Sequence, residues 1–189
     1  MTISESQQDQ GYSQGNPGDL PACLPTKQWY AVYTIVRHEK AANARVAERG
    51  IDTFLPLREI KSRWKDRIKT IQSPLFPGYF FVNMKGSVEE QLNVLNTRGV
   101  VRILADGPNP VAIPDEQIRA IQMLVHSQME YEQDPYDLKG GDAIVARGPL
   151  SGVRGKIIEQ RGSHRLILSV DLIQRSVAVE VDIRDVELR

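Results

Sequence analysis

A single cysteine, Cys23, is all this 189-residue chain contains, so neither an internal disulfide nor a thiolate metal site can form. Its three histidines, His38, His126 and His164, show no metal-ligand spacing. No G-x-S-x-G, P-loop or paired catalytic acid occurs, which points away from an enzyme and predicts neither cofactor nor metal. No apolar run approaches the roughly 18 residues that suit a membrane span. The first 26 residues lack the basic and apolar regions of a secretory signal. The expectation is a soluble, cytoplasmic monomer without a membrane partner.

Net charge is also lacking, with 24 basic and 24 acidic residues, but its distribution is uneven. Residues 1–26 carry three acids and no Lys or Arg, residues 27–70 carry 11 bases against five acids, and residues 127–139 are again acidic. A basic module is thus flanked by an acidic leader and an acidic linker.

Residues 1–27 are rich in Ser, Gln, Gly and Pro without apolar period and read as a disordered leader. Residues 28–126 then give a β-α-β-β-α-β order followed by an extra helix. Trp29 to Ile35 suits a central strand, and Arg37 to Arg49 is an Ala-rich helix before Gly50. Ile51 to Leu57 suits a second strand. Ser87 and Glu90 have capping-box spacing ahead of Val88, Leu92 and Leu95. Val100 to Leu104 supplies another strand, and Pro114, Asp115 and Glu116 start a helix reaching about Val125. This order is the ferredoxin-like arrangement, within an α+β fold class. Residues 127–139 read as a flexible linker, and residues 140–189 hold only short alternating runs between Gly-containing turns, as a small β-barrel does.

Aromatics are scarce, and a third of the twelve lie in PLFPGYFFV, Pro74 to Val82. Alternation sends Tyr79 and Phe81 to one face of a strand and Phe80 and Val82 to the other. One face serves the core of a small sheet. The second aromatic row requires a cover, for which a partner protein is the expected candidate.

Five segments together resemble the NusG family of bacterial transcription elongation factors. They are WYAVYT, RHEKAANARVAERGIDTFLP, PLFPGYFFV, NTRGVVRIL and GDAIVARGPLSGVRGKI, and the resemblance covers residues 28 to 189. It implies a NusG-type N-terminal domain, a flexible linker and a C-terminal KOW domain. SPLFP, the TRGV tetrapeptide Thr97 to Val100, and DLIQRSV look closer to specialised paralogues such as RfaH than to the housekeeping factor.

The resemblance implies that Tyr33, Phe76, Tyr79 and Phe81 dock on the clamp helices of the largest catalytic subunit of RNA polymerase, the last two forming the exposed row. Rigid aromatics give large contact area at low entropy cost, although any single aromatic is more often core. Arg58 to Thr70 holds six bases around Trp64. In isolation such a run is a solvated hairpin, but it also suits a nucleic-acid backbone plus an unstacked base. The resemblance turns Lys61, Arg63, Trp64, Lys65 and Arg67 toward upstream or non-template DNA. Arg37, His38, Lys40, Arg45, Thr97 and Arg98 form a second basic element.

Gly148, Gly152 and Gly155 bracket the KOW turn and are read as structural. Leu172, Ile173 and Arg175 match the turn through which the housekeeping factor meets Rho and a small-subunit ribosomal protein. The missing aromatic weakens the case for Rho and leaves the ribosomal contact. The gate-loop-touching stretch of RfaH is replaced here by Glu90, Gln91, Leu92 and Asn93. The function implied is elongation and antitermination by suppression of pausing. The alternatives are a general factor coupling polymerase to Rho or the ribosome, and a ribosome- or RNA-binding KOW protein.

Overall fold

A computed structural model describes residues 26–64, 67–127, 129–134, 140–160 and 162–189, so the leader reading of residues 1–25 lies outside the described residues. Strand β1 (Gln28–Thr34) leads into helix α1 (Glu39–Ala47) and strand β2 (Asp52–Phe54). The basic excursion is a long hairpin of β3 (Leu57–Trp64) and β4 (Arg67–Pro74), paired from Leu57↔Pro74 to Trp64↔Arg67. Strand β5 (Tyr79–Met84), helix α2 (Val88–Leu95) and strand β6 (Val100–Ile103) complete the ferredoxin-like order.

The main sheet runs β2-β5-β1-β6, with every pairing antiparallel. β5 therefore sits between two neighbours, in register Ala31↔Phe81 and Thr53↔Val82. A small ribbon of β7 (Ala105–Asp106) and β8 (Asn109–Pro110) follows, and β9 (Ala112–Ile113) adds to the start of β1. Helix α3 (Asp115–His126) then begins after Pro114 with Asp115 and Glu116 in its first turn, where acids favour the dipole.

The two faces of this sheet have separate cores. Tyr30, Val32, Phe80, Val82 and Met84 pack with Ala42 and Val46 of α1, Val94 of α2, and Ile103. Ala31 and Phe81 pack on the other side with Ile118, Ile121 and Leu124 of α3. The alternation read from the sequence thus holds residue by residue.

Residues 127–139, expected as a flexible linker, contain strand β10 (Tyr131–Asp134), which pairs with the C-terminal sheet from Tyr131↔Val179 to Asp134↔Ser176. A polar strand with one apolar residue gives no periodic signal, yet an open sheet edge accepts it by backbone bonds alone. The C-terminal strands are β11 (Gly141–Val145), β12 (Arg154–Gln160), β13 (Ser163–Val170), β14 (Arg175–Val181) and β15 (Val186–Leu188). Their order is β10-β14-β13-β12-β11-β15, again wholly antiparallel.

The three glycines of the β11–β12 turn do two different jobs. Gly148 and Gly152 have φ of +88° and +84°, in the left-handed region that side chains avoid. Gly155 instead lies against β13, where an added Cβ would sit 2.6 Å from the Ile167 carbonyl oxygen. Gly155→Ala is expected to part β12 from β13 and lower the melting temperature by several degrees, read by circular dichroism.

Candidate functional site

Three local features build the aromatic face. Tyr33 and Tyr79 are directly opposed across β1 and β5, their ring centroids 5.2 Å apart, and the Arg102 guanidinium of β6 sits 5.6 Å over the Tyr33 ring. Phe81 stacks on Phe54 and meets Phe76 edge-on, each at 6.1 Å. The turn ahead of β5 is held from below. The Gly78 N–H donates to the buried Glu39 carboxylate at 2.8 Å, and the Thr34 N–H donates to the Gly78 carbonyl, also at 2.8 Å. Glu39, in the first turn of α1, thereby ties that helix to the aromatic strand.

The row divides by exposure in a way the sequence did not anticipate. Phe81 is fully buried and Phe76 is 1% exposed, whereas Tyr33 and Tyr79 are half-buried. The expectation of an exposed Tyr79–Phe81 pair is therefore corrected for this conformation. The cover comes from the chain itself. Ile118, Ile121 and Leu124 of α3 join Phe76 and Phe81 in one apolar cluster, which continues into the C-terminal sheet through Val145, Leu166, Leu168, Val177 and Val179.

The same cluster takes in the C-terminal candidates. Ile173 is buried within it, Leu172 packs partly against it and Arg175 is exposed. Both segments matched to partner contacts thus contribute to one internal junction. Polar contacts also cross it among the described residues. The Gln117 side chain donates to the Asp171 carboxylate at 2.7 Å and accepts from the Asp171 N–H at 3.2 Å. Arg154 and Glu116, both well exposed, approach to 3.8 Å. From β10, the Gln133 amide donates to the Leu75 carbonyl, and Tyr131 donates to the Leu57 carbonyl at 3.4 Å. Burial raises the Tyr131 phenol pKa against the opposing field of Arg58. Nothing in the sequence marked Gln117, Tyr131, Gln133 or Asp171 for these contacts, since each is a lone side chain in an unremarkable setting.

The basic candidates divide as well. Arg37 is exposed in a left-handed conformation, φ +67°, ahead of α1 rather than inside it. His38 is half-buried against Gly99, and Arg98 is exposed. Lys40 donates to the Gln72 carbonyl at 2.7 Å and so braces the hairpin base against α1, while Arg45 donates to the Arg98 carbonyl at 3.1 Å. Thr97 is corrected: it is 2% exposed and its hydroxyl donates to the Asn93 carbonyl, so the residue closes helix α2 and offers no surface. Lys61, Arg63, Trp64 and Arg67 lie on the two hairpin strands; their side chains, like all of Lys65, are outside the described residues.

A family described as "Transcription termination factor nusG" matches residues 27–122. The chain belongs to the NusG family. It is 26% identical over 180 residues to the transcription termination/antitermination protein NusG of Thermus thermophilus, covering 84% of this chain and 97% of that protein. It is 25% identical over 172 residues to NusG of Lactococcus lactis, covering 84% and 91%. A solved structure described as "Domain interaction in Thermotoga maritima NusG" superposes with a TM-score of 0.52 at 23% identity, over 85% of this chain and 96% of that one, a likeness of fold. The chain is accordingly a NusG-type transcription termination/antitermination factor. Among the described residues, no group of three or more His, Cys, Asp or Glu could hold a metal, and no helix is long and apolar enough to cross a membrane.

Truncating Phe81 to Ala should cost about 3–5 kcal/mol, because it opens a cavity under α3, whereas Tyr79→Ala should cost roughly 1–2 kcal/mol. Urea denaturation of the two variants checks the order.

Proposed function

We propose that this NusG-family protein is an elongation and antitermination factor whose aromatic face, Tyr33, Phe76, Tyr79 and Phe81, docks on the clamp helices of RNA polymerase. The observation that carries the reading is the second apolar row of the main sheet. The sheet has a core of its own beneath α1 and α2, and among the described residues this row is covered by α3 and the C-terminal sheet. The conformation described is then the closed form, and docking requires that cover to move aside. Exposed ion pairs contribute about 0–1 kcal/mol each, so the Arg154–Glu116 contact offers little resistance.

In the open form the basic hairpin and the exposed Arg37 and Arg98 would lie toward upstream or non-template DNA. Arg175, with the released Leu172 and Ile173, would meet a small-subunit ribosomal protein. The factor acts by binding the closed, pause-resistant clamp better than the open one, which shifts the population without covalent chemistry. The SPLFP, TRGV and DLIQRSV stretches favour the specialised, RfaH-like branch over a general Rho-coupled factor.

The test is a paused-elongation assay with purified polymerase and the full chain, alongside a direct binding measurement. Tyr33→Ala with Tyr79→Ala should weaken polymerase binding about tenfold or more, roughly 1.4 kcal/mol per tenfold. Gln117→Ala with Arg154→Ala should strengthen it several-fold by releasing the cover. Capture of ribosomal subunits with no affinity for polymerase would instead establish the ribosome-binding alternative.

A further inference from the structure

The cover on the aromatic face leaves one part of it in water. Phe76 and Phe81 are shut inside the cluster beneath α3, with Phe54 packed against them. Toward the β6 edge of the sheet the register sets Arg102 opposite Tyr33 and Tyr33 opposite Tyr79, a row that crosses three strands. Arg102 is exposed, the two tyrosines are half-buried, and Tyr33 belongs to neither apolar cluster.

The chemistry of this row differs from that of the covered phenylalanines. The Arg102 guanidinium lies 5.6 Å over the Tyr33 ring, which in turn meets the Tyr79 ring at 5.2 Å. Stacking uses the flat face of a guanidinium and leaves the N–H donors in its plane free for a carboxylate. Among the described residues, no carboxylate or other acceptor engages those donors. Other cations of the fold are already engaged: Lys40 and Arg45 donate to backbone carbonyls, and Arg165 and Arg184 sit on carboxylates. Tyr33 alternates with Val32, so Arg102 stands on the α3 side of the sheet, and α1 with Lys40 and Arg45 lies on the other side. A lone cation set among aromatics there suits a protein surface that places a carboxylate beside an apolar groove.

We propose that the Arg102–Tyr33–Tyr79 row is the point of first contact for the partner that docks on the aromatic face, and that Arg102 selects a partner surface bearing a carboxylate next to its apolar contact. The inference rests on the docking proposed above. The row is accessible in the closed form and Phe76 and Phe81 are not, so binding begins on the row and the cover is displaced afterwards. A charge at the rim of a contact acts on the encounter more than on the final packing.

The test is the association kinetics of the full chain with purified RNA polymerase, followed as salt is raised from about 0.05 M to about 0.5 M. Arg102→Gln should slow association about threefold at low salt and Arg102→Glu about tenfold, with both differences shrinking as salt rises and dissociation nearly unchanged. Arg102→Lys should keep the association rate and its salt dependence, which a purely structural role for the stacked guanidinium would not allow. All three variants should keep the circular-dichroism spectrum, because the side chain is exposed on an edge strand. If Arg102→Gln and Arg102→Glu leave association unchanged while Tyr33→Ala with Tyr79→Ala weakens binding, the role of Arg102 is overturned and the docking face stands. Full binding by the tyrosine variant would overturn both. Loss of affinity for single-stranded DNA, with polymerase association intact, would assign Arg102 to a nucleic-acid surface and overturn the proposal.

Discussion

The pairing of β1 with β5 governs the rest of the molecule, because this central pair is apolar on both faces. Val32, Phe80 and Val82 point one way, and Ala31 and Phe81 the other. A sheet of four main strands cannot leave either face in water, as each buried aromatic contributes roughly 1.5–3 kcal/mol of transfer free energy. One face is answered locally by α1 and α2, which are the crossover helices of the same motif. The other has no local answer, and α3 with the C-terminal sheet supplies it.

That division separates two kinds of packing. The α1–α2 side is braced by Glu39 on the Gly78 N–H and by side chains bonded to backbone carbonyls, such as Lys40 to Gln72. The α3 side is joined to the C-terminal sheet by a continuous apolar cluster, with polar contacts such as Gln117 to Asp171 at its rim. Apolar contact is non-directional and can be exchanged for another apolar partner of similar shape. On the docking proposed above, an internal cover of this kind is exchanged for an external one on equal chemical terms.

Legibility from sequence followed the range of the forces involved. The strand, helix and turn positions of the first domain were readable because period, caps and glycines act within a few residues. Ser87 with Glu90 marked the start of α2, and the Glu90 N–H does donate to the Ser87 hydroxyl, at 3.3 Å. The alternation of Tyr79 to Val82 was equally plain. By contrast, β10 carries no period, and its strand conformation comes from Val177 and Val179 across the sheet edge. Thr97 looked like a surface polar residue; its hydroxyl bond to Asn93, four residues back, is local, but its burial is decided by the fold.

The α2 stripe is the sharpest case of pattern without placement. Val88, Leu92 and Leu95 revealed a helix through their spacing, yet the helix turns Val94 inward and leaves them out. By itself the sequence determined the strands and helices of the β-α-β-β-α-β order with α3 after them, the two-faced character of β5 and the family. Only the tertiary structure decided what lies on Phe81, that Ile173 shares its core, and which side of α2 meets the sheet. The reason is physical: local propensity and side-chain period say which faces must be covered, while the identity of the cover depends on contacts between residues far apart in the chain.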